Sequence, residues 1–326
     1  MAYGLGNRRS IQLSYGVECD AAFFPRSAHC GKCGGARSAV LQRGASTRDF
    51  RWPPQRVGAR QPRMIPYFRP PTIDLGIAQI EPFGIMSAAG VLVAAFLVSR
   101  AARSDRRDPA PLQDFVLWAL GGGVILGHLV HLFLYHPEEL QRGPLQILKV
   151  WDGLSSMGGL IGGIIGSLIF FRRSGLKVAD YADAIALGMA PGWGVARIGC
   201  FLVHDHPGKP TDFFLAVDFP PNVYPGGPRH DLGLYEALLL FGLAAVLWTL
   251  HHRRTLRGRL LPLLAVTYGT SRFLLDFLRA TDLPYVDARY FGLTPAQYVV
   301  IALVVWGVFN LARNAPSGQR ERRAAT

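Results

Sequence analysis

Long apolar stretches are the feature of this chain that most restricts its fold. About seven of them have the length of a membrane-crossing helix, which needs roughly 20 residues. They are Ile80–Val98, Asp114–Tyr135, Leu154–Phe171, Tyr181–Leu202, Leu232–Leu250, Leu260–Leu278 and Pro295–Leu311. Half of the residues are hydrophobic and 17% are charged, which excludes an ordinary soluble enzyme. The sequence therefore predicts an all-α, polytopic membrane protein with about seven transmembrane helices.

Basic residues between the predicted spans set the orientation. They cluster after the first, third, fifth and last spans, whereas the loops His136–Val150, Val203–Asp231 and Ala280–Thr294 contain fewer of them. The positive-inside rule places the basic loops in the cytoplasm. The sequence therefore predicts an amino terminus outside and a carboxyl terminus inside, with residues 314–326 as a basic cytoplasmic tail.

The first 63 residues do not fit this topology. They contain eleven Arg and Lys against three Asp and Glu, on the side where the rule expects few basic residues. They also lack the apolar region of a signal peptide. We expect residues 1–63 to be a disordered or untranslated extension, Met64 to be the true start, and residues 64–313 to form the membrane domain. Since much of the net charge of +13 lies in this extension, that charge does not indicate nucleic-acid binding.

The four cysteines give little reason to predict a disulfide or a structural metal site. Cys30 and Cys33, with Cys19 and His29 nearby, are similar to half of a zinc knuckle, but no second ligand pair follows them. Cys200 lies in a predicted membrane helix, where we expect it to pack as a small apolar residue.

Ionisable residues inside apolar helices are costly, so each is a candidate functional residue. Arg197 lies near the outer end of the fourth span, and Asp205 and Gly208 follow where that helix should end. Such an arginine either reaches the interface and pairs with Asp205, or binds an anion, because a guanidinium group grips phosphate through two hydrogen bonds. This stretch alone favours neither interpretation.

The sixth span repeats this pattern with four residues at helical spacing. Tyr268, Arg272, Asp276 and Arg279 share one helical face. The face is either a salt-bridge stripe that ties helices together or, with Arg197, half of a phosphate site. The second arginine at the same end of the membrane makes the phosphate site the better interpretation.

Further polar residues lie near the outer ends of other spans. His230, Tyr235 and Glu236 begin the fifth span, where Glu236 can balance one of the arginines. His128 and His131 share one face of the second span. Lone histidines of this kind are more often structural than catalytic.

Glycine is concentrated in the run Trp151–Gly163, which opens the third span. Glycine weakens a helix, so this density needs a reason. One explanation is that glycine lets another backbone, or a lipid headgroup, come very close to this helix.

Five segments, taken together, resemble the prolipoprotein diacylglyceryl transferase family. They are Phe83-Gly84, Trp151–Gly163, Arg197–Gly208, His230–Glu236 and Tyr268–Arg279. The resemblance implies a seven-helix enzyme of the bacterial inner membrane, which transfers diacylglyceryl from phosphatidylglycerol to the lipobox cysteine of a prelipoprotein. It implies no metal and no soluble cofactor. A monomer is sufficient, because all the candidate residues lie in one chain.

The resemblance also assigns roles to individual residues. Arg197 and Arg272 would be catalytic, because they would stabilise negative charge on the departing phosphate. Asp205 stands where the family usually has glutamate. The residues expected to bind substrate are Phe83, Gly158, Gly159, Asp205, Gly208, His230, Tyr235, Glu236, Tyr268, Asp276 and Arg279.

Several positions depart from the family's usual pattern. Met157 stands where a histidine is usual, Cys200 and Val203 replace asparagines, Lys209 replaces an arginine and Phe83 a common tyrosine. The residues that handle phosphate are therefore kept, whereas those near the thiol are changed.

The change at Met157 removes the usual candidate for a general base, because methionine takes no proton. We predict that His204 or His128 supplies the base from another helix, and we include His204 among the catalytic residues. Alternatively, a thiol with a pKa of about 8.5 ionises beside the arginines without a dedicated base.

Three other functions stay open at this point. The chain could be a divergent paralogue that binds phosphatidylglycerol but uses another acceptor or does not catalyse. It could be a metal-dependent membrane enzyme, because imidazole and carboxylate suit zinc. The ligands would then come from the outer-end residues His128, His131, His204, Asp205, His206 and His230. A transporter or structural membrane protein is disfavoured by the lack of an inverted repeat.

Overall fold

The computed structural model describes residues 64–74, 79–140, 143–150, 153–224, 227–283 and 289–313. The predictions about the extension 1–63 and its cysteines, about Trp151, and about the tail 314–326 lie outside these residues.

Seven helices of sixteen or more residues dominate the described part of the chain. They are α1 (Pro82–Ser104), α2 (Pro111–Val130), α4 (Ser156–Ser174), α5 (Val178–Val203), α6 (Leu232–His252), α7 (Leu260–Leu275) and α8 (Pro295–Arg313), while the short helix α3 (Pro137–Leu140) follows α2. A π-helical turn, His131–Tyr135, extends α2, and a 3-10 turn, Asp276–Leu278, extends α7.

Five of these helices are long and apolar enough to cross a membrane. They are α1, α2 with part of its extension, α5, α6 and α8. The prediction of a mostly helical, polytopic membrane protein is therefore confirmed. The number of seven spans and the orientation of the termini stay predictions.

Local sequence explains where several helices begin and end. Pro82 and Pro111 occupy the first turns of α1 and α2, where the missing N–H of proline costs nothing. Ser155 caps α4, because its Oγ accepts a hydrogen bond from the amide of Gly158 at 3.3 Å. Gly175, with a left-handed φ of 68°, ends the same helix. The third predicted span therefore begins at Ser156 rather than at Leu154.

Short strands form a small sheet that the sequence analysis did not predict. β1 (Ile65–Pro66), β4 (Pro207–Pro210), β5 (Val217–Asp218) and β6 (Arg229–Asp231) pair in the order β1-β5-β6-β4, with β1 parallel to β5 and the other pairs antiparallel. A separate antiparallel pair joins β2 (Ile73–Asp74) to β3 (Gln79–Ile80). Strands of two to four residues are too short to show an alternating pattern, so the all-α prediction missed them.

The long helices pack mainly in pairs. α1 lies along α5, α2 along α4, α5 along α6, and α7 along α8. The largest buried apolar cluster joins α1, α2, α4, α5, α6 and α7, and Ala101, Leu187, Leu247 and Leu260 are among its most buried members. Helix α5 contacts α6 and α7 as well as α1. It therefore packs against helices from both the beginning and the later part of the chain.

Glycines of α4 face the backbone of α2. A Cβ placed on Gly158 would lie 2.5 Å from the carbonyl oxygen of Leu126 and 2.7 Å from Cβ of Val130. Such distances are far below ordinary van der Waals contact, so only glycine fits here. The glycine-rich run therefore lets another backbone approach, which is one of the two reasons considered from the sequence.

We expect Gly158→Ala to destabilise the protein and Gly159→Ala to leave it nearly unchanged. A Cβ on Gly159 would meet its nearest atom, the carbonyl oxygen of Gly123, at an ordinary 3.8 Å. Overpacking at Gly158 should cost about 1–3 kcal/mol. Thermal unfolding of both variants in the same detergent measures the difference. Equal midpoints for the two variants would contradict this account of the α2–α4 contact.

Candidate active site

Ionisable side chains from α5, α6 and α7 meet around one buried carboxylate, Glu236. Its Oε2 lies 3.0 Å from Nε of Arg197, and its Oε1 lies 3.1 Å from Nε of Arg272. The hydroxyl of Tyr268 donates a hydrogen bond to Oε2 at 3.1 Å. Glu236 is fully buried and both arginine side chains are largely buried. One carboxylate thus holds two guanidinium groups side by side at the same end of the bundle.

A second carboxylate, Asp276, orients Arg272 from the other side. Its Oδ1 accepts a hydrogen bond from Nη1 of Arg272 at 2.8 Å, and Nη1 of Arg279 lies 4.0 Å from the same oxygen. Its Oδ2 accepts a hydrogen bond from the hydroxyl of Thr294. The helical stripe predicted for the sixth span therefore forms, and it connects to the two-arginine cluster through Arg272.

Thr294 is a residue of this cluster that the sequence analysis missed. Its hydroxyl also accepts a hydrogen bond from the amide of Gln297, while Oε1 of Gln297 accepts one from the amide of Thr294. This reciprocal pair is a capping box at the start of α8. The pattern is visible in the sequence, but it predicts only a helix start and gives no sign of the contact with Asp276.

The chain beyond α5 folds back toward Arg197. His204 ends α5 in the left-handed conformation, with φ of 52° and ψ of 41°, and so reverses the chain. Nη1 of Arg197 then lies 3.5 Å from Nε2 of His206 and 3.5 Å from Sγ of Cys200. Nδ1 of His206 is hydrogen-bonded to Asp205. Of the two partners considered for Arg197, the ion pair forms with Glu236 of α6, while Asp205 is held by His206.

Burial and charge act in opposite directions on Asp205. Burial favours the neutral carboxyl, but His206 and the guanidinium groups of Arg197 and Arg279 favour the carboxylate. The charges outweigh the burial, so the pKa of the Asp205 carboxyl lies below its usual value. Asp205 therefore stays ionised near neutral pH and adds negative charge beside Arg197.

Comparison with known proteins identifies the family of this chain. The family model for prolipoprotein diacylglyceryl transferase matches residues 70–313, which is most of the chain. This chain belongs to that family. The segments on which the resemblance was based all lie inside the matched range.

Curated relatives cover the same region at nearly their full length. A protein from Chromohalobacter salexigens is 34% identical over 275 residues, which are 80% of this chain and 98% of the relative. One from Solidesulfovibrio magneticus is 33% identical over 258 residues, or 77% and 96%. One from Pseudomonas entomophila is 31% identical over 255 residues, or 76% and 94%. Each of these relatives is named phosphatidylglycerol–prolipoprotein diacylglyceryl transferase.

Met157, where the resemblance leads us to expect a histidine, lies in apolar surroundings. It lines an open apolar depression together with Ile161 of α4, Tyr290 and the start of α8. No ionisable side chain other than the phenols of Tyr290 and Tyr298 lines this depression within the described chain. Met157 takes no proton, so in these surroundings it offers only apolar contact.

His204 was predicted to be a catalytic base, and its contacts do not favour that role. Nε2 lies 3.0 Å from the carbonyl oxygen of Phe68, which can only accept, so this nitrogen must carry a hydrogen. Nδ1 is hydrogen-bonded to Oδ2 of Asp231 at 2.7 Å. Neither nitrogen therefore offers a lone pair to a substrate. The rings of Tyr67 and Phe219 also pack on this buried imidazole.

Asp231 supports this structural role of His204. Its Oδ1 caps α6 by accepting a hydrogen bond from the amide of Leu234 at 3.0 Å. Burial raises the pKa of the Asp231 carboxyl, although the hydrogen bond with His204 opposes part of that rise. The pair links the turn after α5, the first turn of α6 and the segment that carries β1.

His128, the other predicted base, is also engaged by the backbone. Its Nδ1 lies 3.1 Å from the carbonyl oxygen of Gly153, and its Nε2 lies 3.0 Å from that of Gln146. The side chain therefore fixes the connection between α2 and α4. His131 on the same face lies 3.7 Å from Oε2 of Glu139. The structure thus does not bring the outer-end histidines together as one set of metal ligands.

Gly208 is held by several close backbone contacts. It forms an antiparallel bridge with Arg279, and a Cβ placed on it would lie 2.6 Å from Cβ of His230 and 2.7 Å from the carbonyl oxygen of Leu278. Its own carbonyl oxygen accepts a hydrogen bond from Arg229 at 3.2 Å. A side chain at position 208 would collide with His230 and Leu278. Glycine therefore allows the backbone contact with Arg279 that places this arginine near the cluster.

Arg229, which the sequence analysis did not single out, ties this packing together. It is fully buried and donates hydrogen bonds to both carboxylate oxygens of Asp282. These hydrogen bonds hold the pKa of the Asp282 carboxyl below its usual value.

The remaining predicted binding residues lie around the cluster rather than inside it. Nδ1 of His230 is hydrogen-bonded to the hydroxyl of Tyr235 at 2.9 Å, and burial lowers the pKa of this imidazole. Phe83 at the start of α1 rests against Gly199 of α5, because a Cβ on Gly199 would lie 3.2 Å from its Cα. A role in substrate binding for these residues, and for Gly158 and Gly159, stays a prediction.

Proposed function

We propose that this chain transfers the diacylglyceryl group of phosphatidylglycerol to the thiol of a lipobox cysteine in a prelipoprotein. In this reaction the thiolate sulfur forms a bond to a glycerol carbon of the lipid. The bond between that carbon and a phosphate oxygen breaks, and glycerol phosphate leaves with the electron pair. The acceptor thiol has lost its proton before the attack. Negative charge therefore builds up on the phosphate as the reaction proceeds.

The observation that carries this proposal is the pair of arginines bound to opposite oxygens of Glu236. Each guanidinium group has five N–H donors, and its ion-pair contact with Glu236 is made through Nε. Nη1 of Arg272 also donates to Asp276, whereas Nη1 of Arg197 makes only long contacts of 3.5 Å with Cys200 and His206, so Arg197 can turn donors to another acceptor. In a water-poor site such fixed donors stabilise a developing phosphate charge strongly, because they need no reorganisation. The names of the relatives indicate which substrates to expect. The two buried arginines are the positive charge that this reaction requires.

The proposal is tested by supplying the purified protein with phosphatidylglycerol labelled in its acyl chains and a lipobox peptide. We expect a thioether-linked diacylglyceryl group on the peptide and one glycerol phosphate for each transfer. A peptide with serine in place of the lipobox cysteine is the matched control and should stay unmodified. Phosphatidylglycerol binding without any product would contradict the proposal.

We propose further that the acceptor thiol ionises without a histidine base. Support comes from His204 and His128, whose ring nitrogens are engaged by Asp231 and by backbone carbonyl oxygens. A free thiol has a pKa of about 8.5, and nearby guanidinium groups lower it. Transfer should then rise with pH in step with ionisation of the peptide thiol.

The second candidate function is a paralogue that binds phosphatidylglycerol but serves another acceptor. Met157 favours it, because this residue faces an apolar depression where the resemblance leads us to expect a base. Met157→His and the apolar control Met157→Leu separate the two functions in the same assay. Transfer by the parent and by Met157→Leu supports the transferase. No transfer by either, with transfer restored by Met157→His, supports the paralogue.

We propose that all seven long helices cross the bacterial inner membrane, with the amino terminus outside. The support is that the basic loops meet at one end of the bundle. Arg107 pairs with Asp180 at 2.8 Å, Ser104 bonds His251 at 3.0 Å, and Asp183 accepts from the amide of Leu260 at 2.9 Å. The positive-inside rule makes this end cytoplasmic. The sheet and the two-arginine cluster would then lie toward the outer face, and a monomer would contain the whole site.

This topology predicts different labelling of two exposed positions. Asp212, beyond β4, should react as Asp212→Cys with a membrane-impermeant thiol reagent in intact spheroplasts. Thr255, between α6 and α7, should react as Thr255→Cys only after permeabilisation. The parent protein, treated in the same way, controls for its native cysteines. The reverse pattern of labelling would contradict the orientation.

A further inference from the structure

Arg289 lies next to Asp276 at the edge of the charged cluster, and the proposed reaction assigns it no role. Its Nη2 lies 3.5 Å from the backbone carbonyl oxygen of Asp276, and its Nη1 lies 3.4 Å from that of Gly292. Both distances exceed the about 2.7–3.2 Å of a good hydrogen bond, so both contacts are weak. Its Nε is buried without a hydrogen-bond partner in the described chain. Arg289 therefore has donors available for a further acceptor.

The charge of Arg289 has no counter-ion among the residues that the structure describes. The carboxylate of Asp276 is already engaged by Arg272 and by the hydroxyl of Thr294, and Arg279 lies near it as well. Arg289 is itself partly buried. A guanidinium group that is withdrawn from water without a counter-ion is costly, and an anionic ligand would supply the missing charge.

A tight turn holds Arg289 in this position. The backbone groups of Tyr290 and Leu293 are joined by hydrogen bonds of 2.8 and 3.0 Å, and the two residues between them have φ of 50° and 83°. Two left-handed residues in succession are typical of the two-residue turn of a β-hairpin. The hydroxyl of Tyr298, in the first turn of α8, donates to the backbone carbonyl oxygen of Tyr290 at 2.7 Å. The backbone next to Arg289 is therefore fixed to the start of α8.

The same turn forms one edge of the apolar depression that Met157 lines. Tyr290 and Phe291 line it from the turn, and Ile161 of α4 and Val299 of α8 line it from the helices. Phe291 is fully exposed and Tyr290 is largely exposed. Tyrosine is enriched where a membrane meets water. A guanidinium group thus lies next to the edge of a surface that is otherwise apolar.

This combination suits one class of ligand, a diacyl phospholipid with an anionic headgroup. Arginine binds phosphate through two parallel hydrogen bonds, and Arg289 has the donors for them. The hydrocarbon chains of a lipid can cover the apolar depression, whereas a soluble phosphate has no apolar part. A zwitterionic headgroup would bring its own cation toward Arg289, and such a like-charge approach disfavours binding. A site of this kind discriminates between headgroups by their charge.

We propose that Arg289 binds the phosphate of phosphatidylglycerol before transfer and selects this lipid against zwitterionic phospholipids. The identity of the lipid rests on the proposed function, whereas the preference for an anionic diacyl lipid rests on Arg289 and the depression beside it. Arg289 is not tied to Glu236, the carboxylate that positions Arg197 and Arg272. Its role is therefore to bind the lipid and not to stabilise the departing phosphate.

Binding is tested with the full-length protein in an uncharged detergent, with labelled phosphatidylglycerol and no acceptor peptide. Arg289→Gln removes the charge, so we expect it to raise Kd for this lipid about tenfold, the loss of roughly one charge-assisted hydrogen bond. Arg289→Lys keeps the charge but loses the planar donor fork, so its Kd should be intermediate. Arg253→Gln, which changes an exposed arginine after the end of α6, is the matched control and should keep the parent Kd.

The variants at Arg289 should unfold at the parent temperature, because the contacts of this side chain are weak. A parent Kd in Arg289→Gln would overturn the proposal. An equal rise in Kd for Arg253→Gln would also overturn it, because the effect would then reflect overall charge.

Competition distinguishes the sources of the phosphate. Unlabelled phosphatidylethanolamine, which is zwitterionic, should displace the label from the parent about tenfold less well than phosphatidylglycerol does, and nearly as well from Arg289→Gln. The same ratio in the parent and the variant would contradict the selectivity. Inorganic phosphate should leave the label bound at concentrations at which phosphatidylglycerol displaces it. Displacement by inorganic phosphate at those concentrations would indicate a site for a soluble anion and would overturn the lipid assignment.

The transfer assay separates binding from chemistry. In Arg289→Gln, KM for phosphatidylglycerol should rise about tenfold while kcat stays within about twofold of the parent, because an interaction made equally in the ground and transition states affects KM alone. A fall in kcat at unchanged KM would overturn the binding role. Weakened lipid binding by Arg289→Gln, with no transfer by any variant, would contradict the proposed function alone. Transfer by Arg289→Gln with the parent Kd and KM would contradict the role of Arg289 alone.

Discussion

Replacing Arg197 with alanine is expected to reduce kcat/KM for diacylglyceryl transfer by about 10²–10³-fold, the usual effect of losing one fixed donor from a transition-state site. Arg197 lies within 3.0 Å of Glu236 and so holds its charge beside Arg272. Its donors would meet the phosphate as negative charge builds up there. Transfer measured with labelled phosphatidylglycerol and a lipobox peptide gives the ratio.

Two further variants separate this charge effect from a general loss of structure. Arg197→Lys keeps the charge but loses the planar donor fork, so its rate should fall between those of the parent and Arg197→Ala. Arg173→Ala changes an arginine in the last turn of α4, which is not part of the cluster. This variant should keep the parent rate. A rate for Arg197→Ala within about threefold of the parent would refute the role of this residue in phosphate stabilisation.

Glu236→Gln is expected to be the most destabilising conservative change in the cluster. The carboxylate is fully buried and is the shared partner of Arg197 and Arg272. Glutamine has the same shape, but it removes the negative charge and can present N–H groups to the guanidiniums. Breaking a buried ion pair costs about 3–5 kcal/mol, because a charge is left without compensation in a medium of low dielectric constant. The rate of diacylglyceryl transfer should also fall, since Arg197 and Arg272 both lose the carboxylate that positions them.

Tyr268→Phe is the matched control for this change. It removes only the hydroxyl that donates to Oε2 of Glu236, and a hydrogen bond to a charged group contributes about 1.5–3 kcal/mol. Thermal unfolding of the two variants in one detergent should therefore give a lower midpoint for Glu236→Gln. If Glu236→Gln unfolded at the parent temperature, the carboxylate would not be the charged centre of the cluster.

The residues of the cluster could be predicted from sequence, but their pairing only in part. Arg197, Glu236 and Arg272 stand out because a charge in an apolar helix is costly and therefore conspicuous. The sequence offered Asp205 as a partner of Arg197, since the two lie close along the chain, and Glu236 as a counter-ion for one arginine without indicating which. In the structure α6 lies along α5, and this packing brings Glu236 to Arg197 instead. Helix packing is set by side-chain fit across the whole interface, which local spacing does not report.

The contacts of His204 show a second limit of sequence patterns. A histidine beside a signature arginine is a natural candidate for a base, but the left-handed turn at His204 directs its ring toward Asp231 and Phe68. Asp183 gives a further example. It accepts hydrogen bonds from the amides of Gly258 and Leu260 and so caps α7 from another helix. Neither the turn nor this cap leaves a distinctive pattern in the residues involved.

The contact between Thr294 and Asp276 has a consequence for how the protein is made. A chain is synthesised from its amino end, so Arg197 and Glu236 enter the bilayer with α5 and α6 and can neutralise each other there. Arg272 follows with α7, and its orienting carboxylate gains the threonine hydroxyl only when α8 arrives. This cluster is thus completed only when α8 is in place. Under the proposed function, a nascent chain that stops before α8 lacks one contact of the site that would stabilise the departing phosphate.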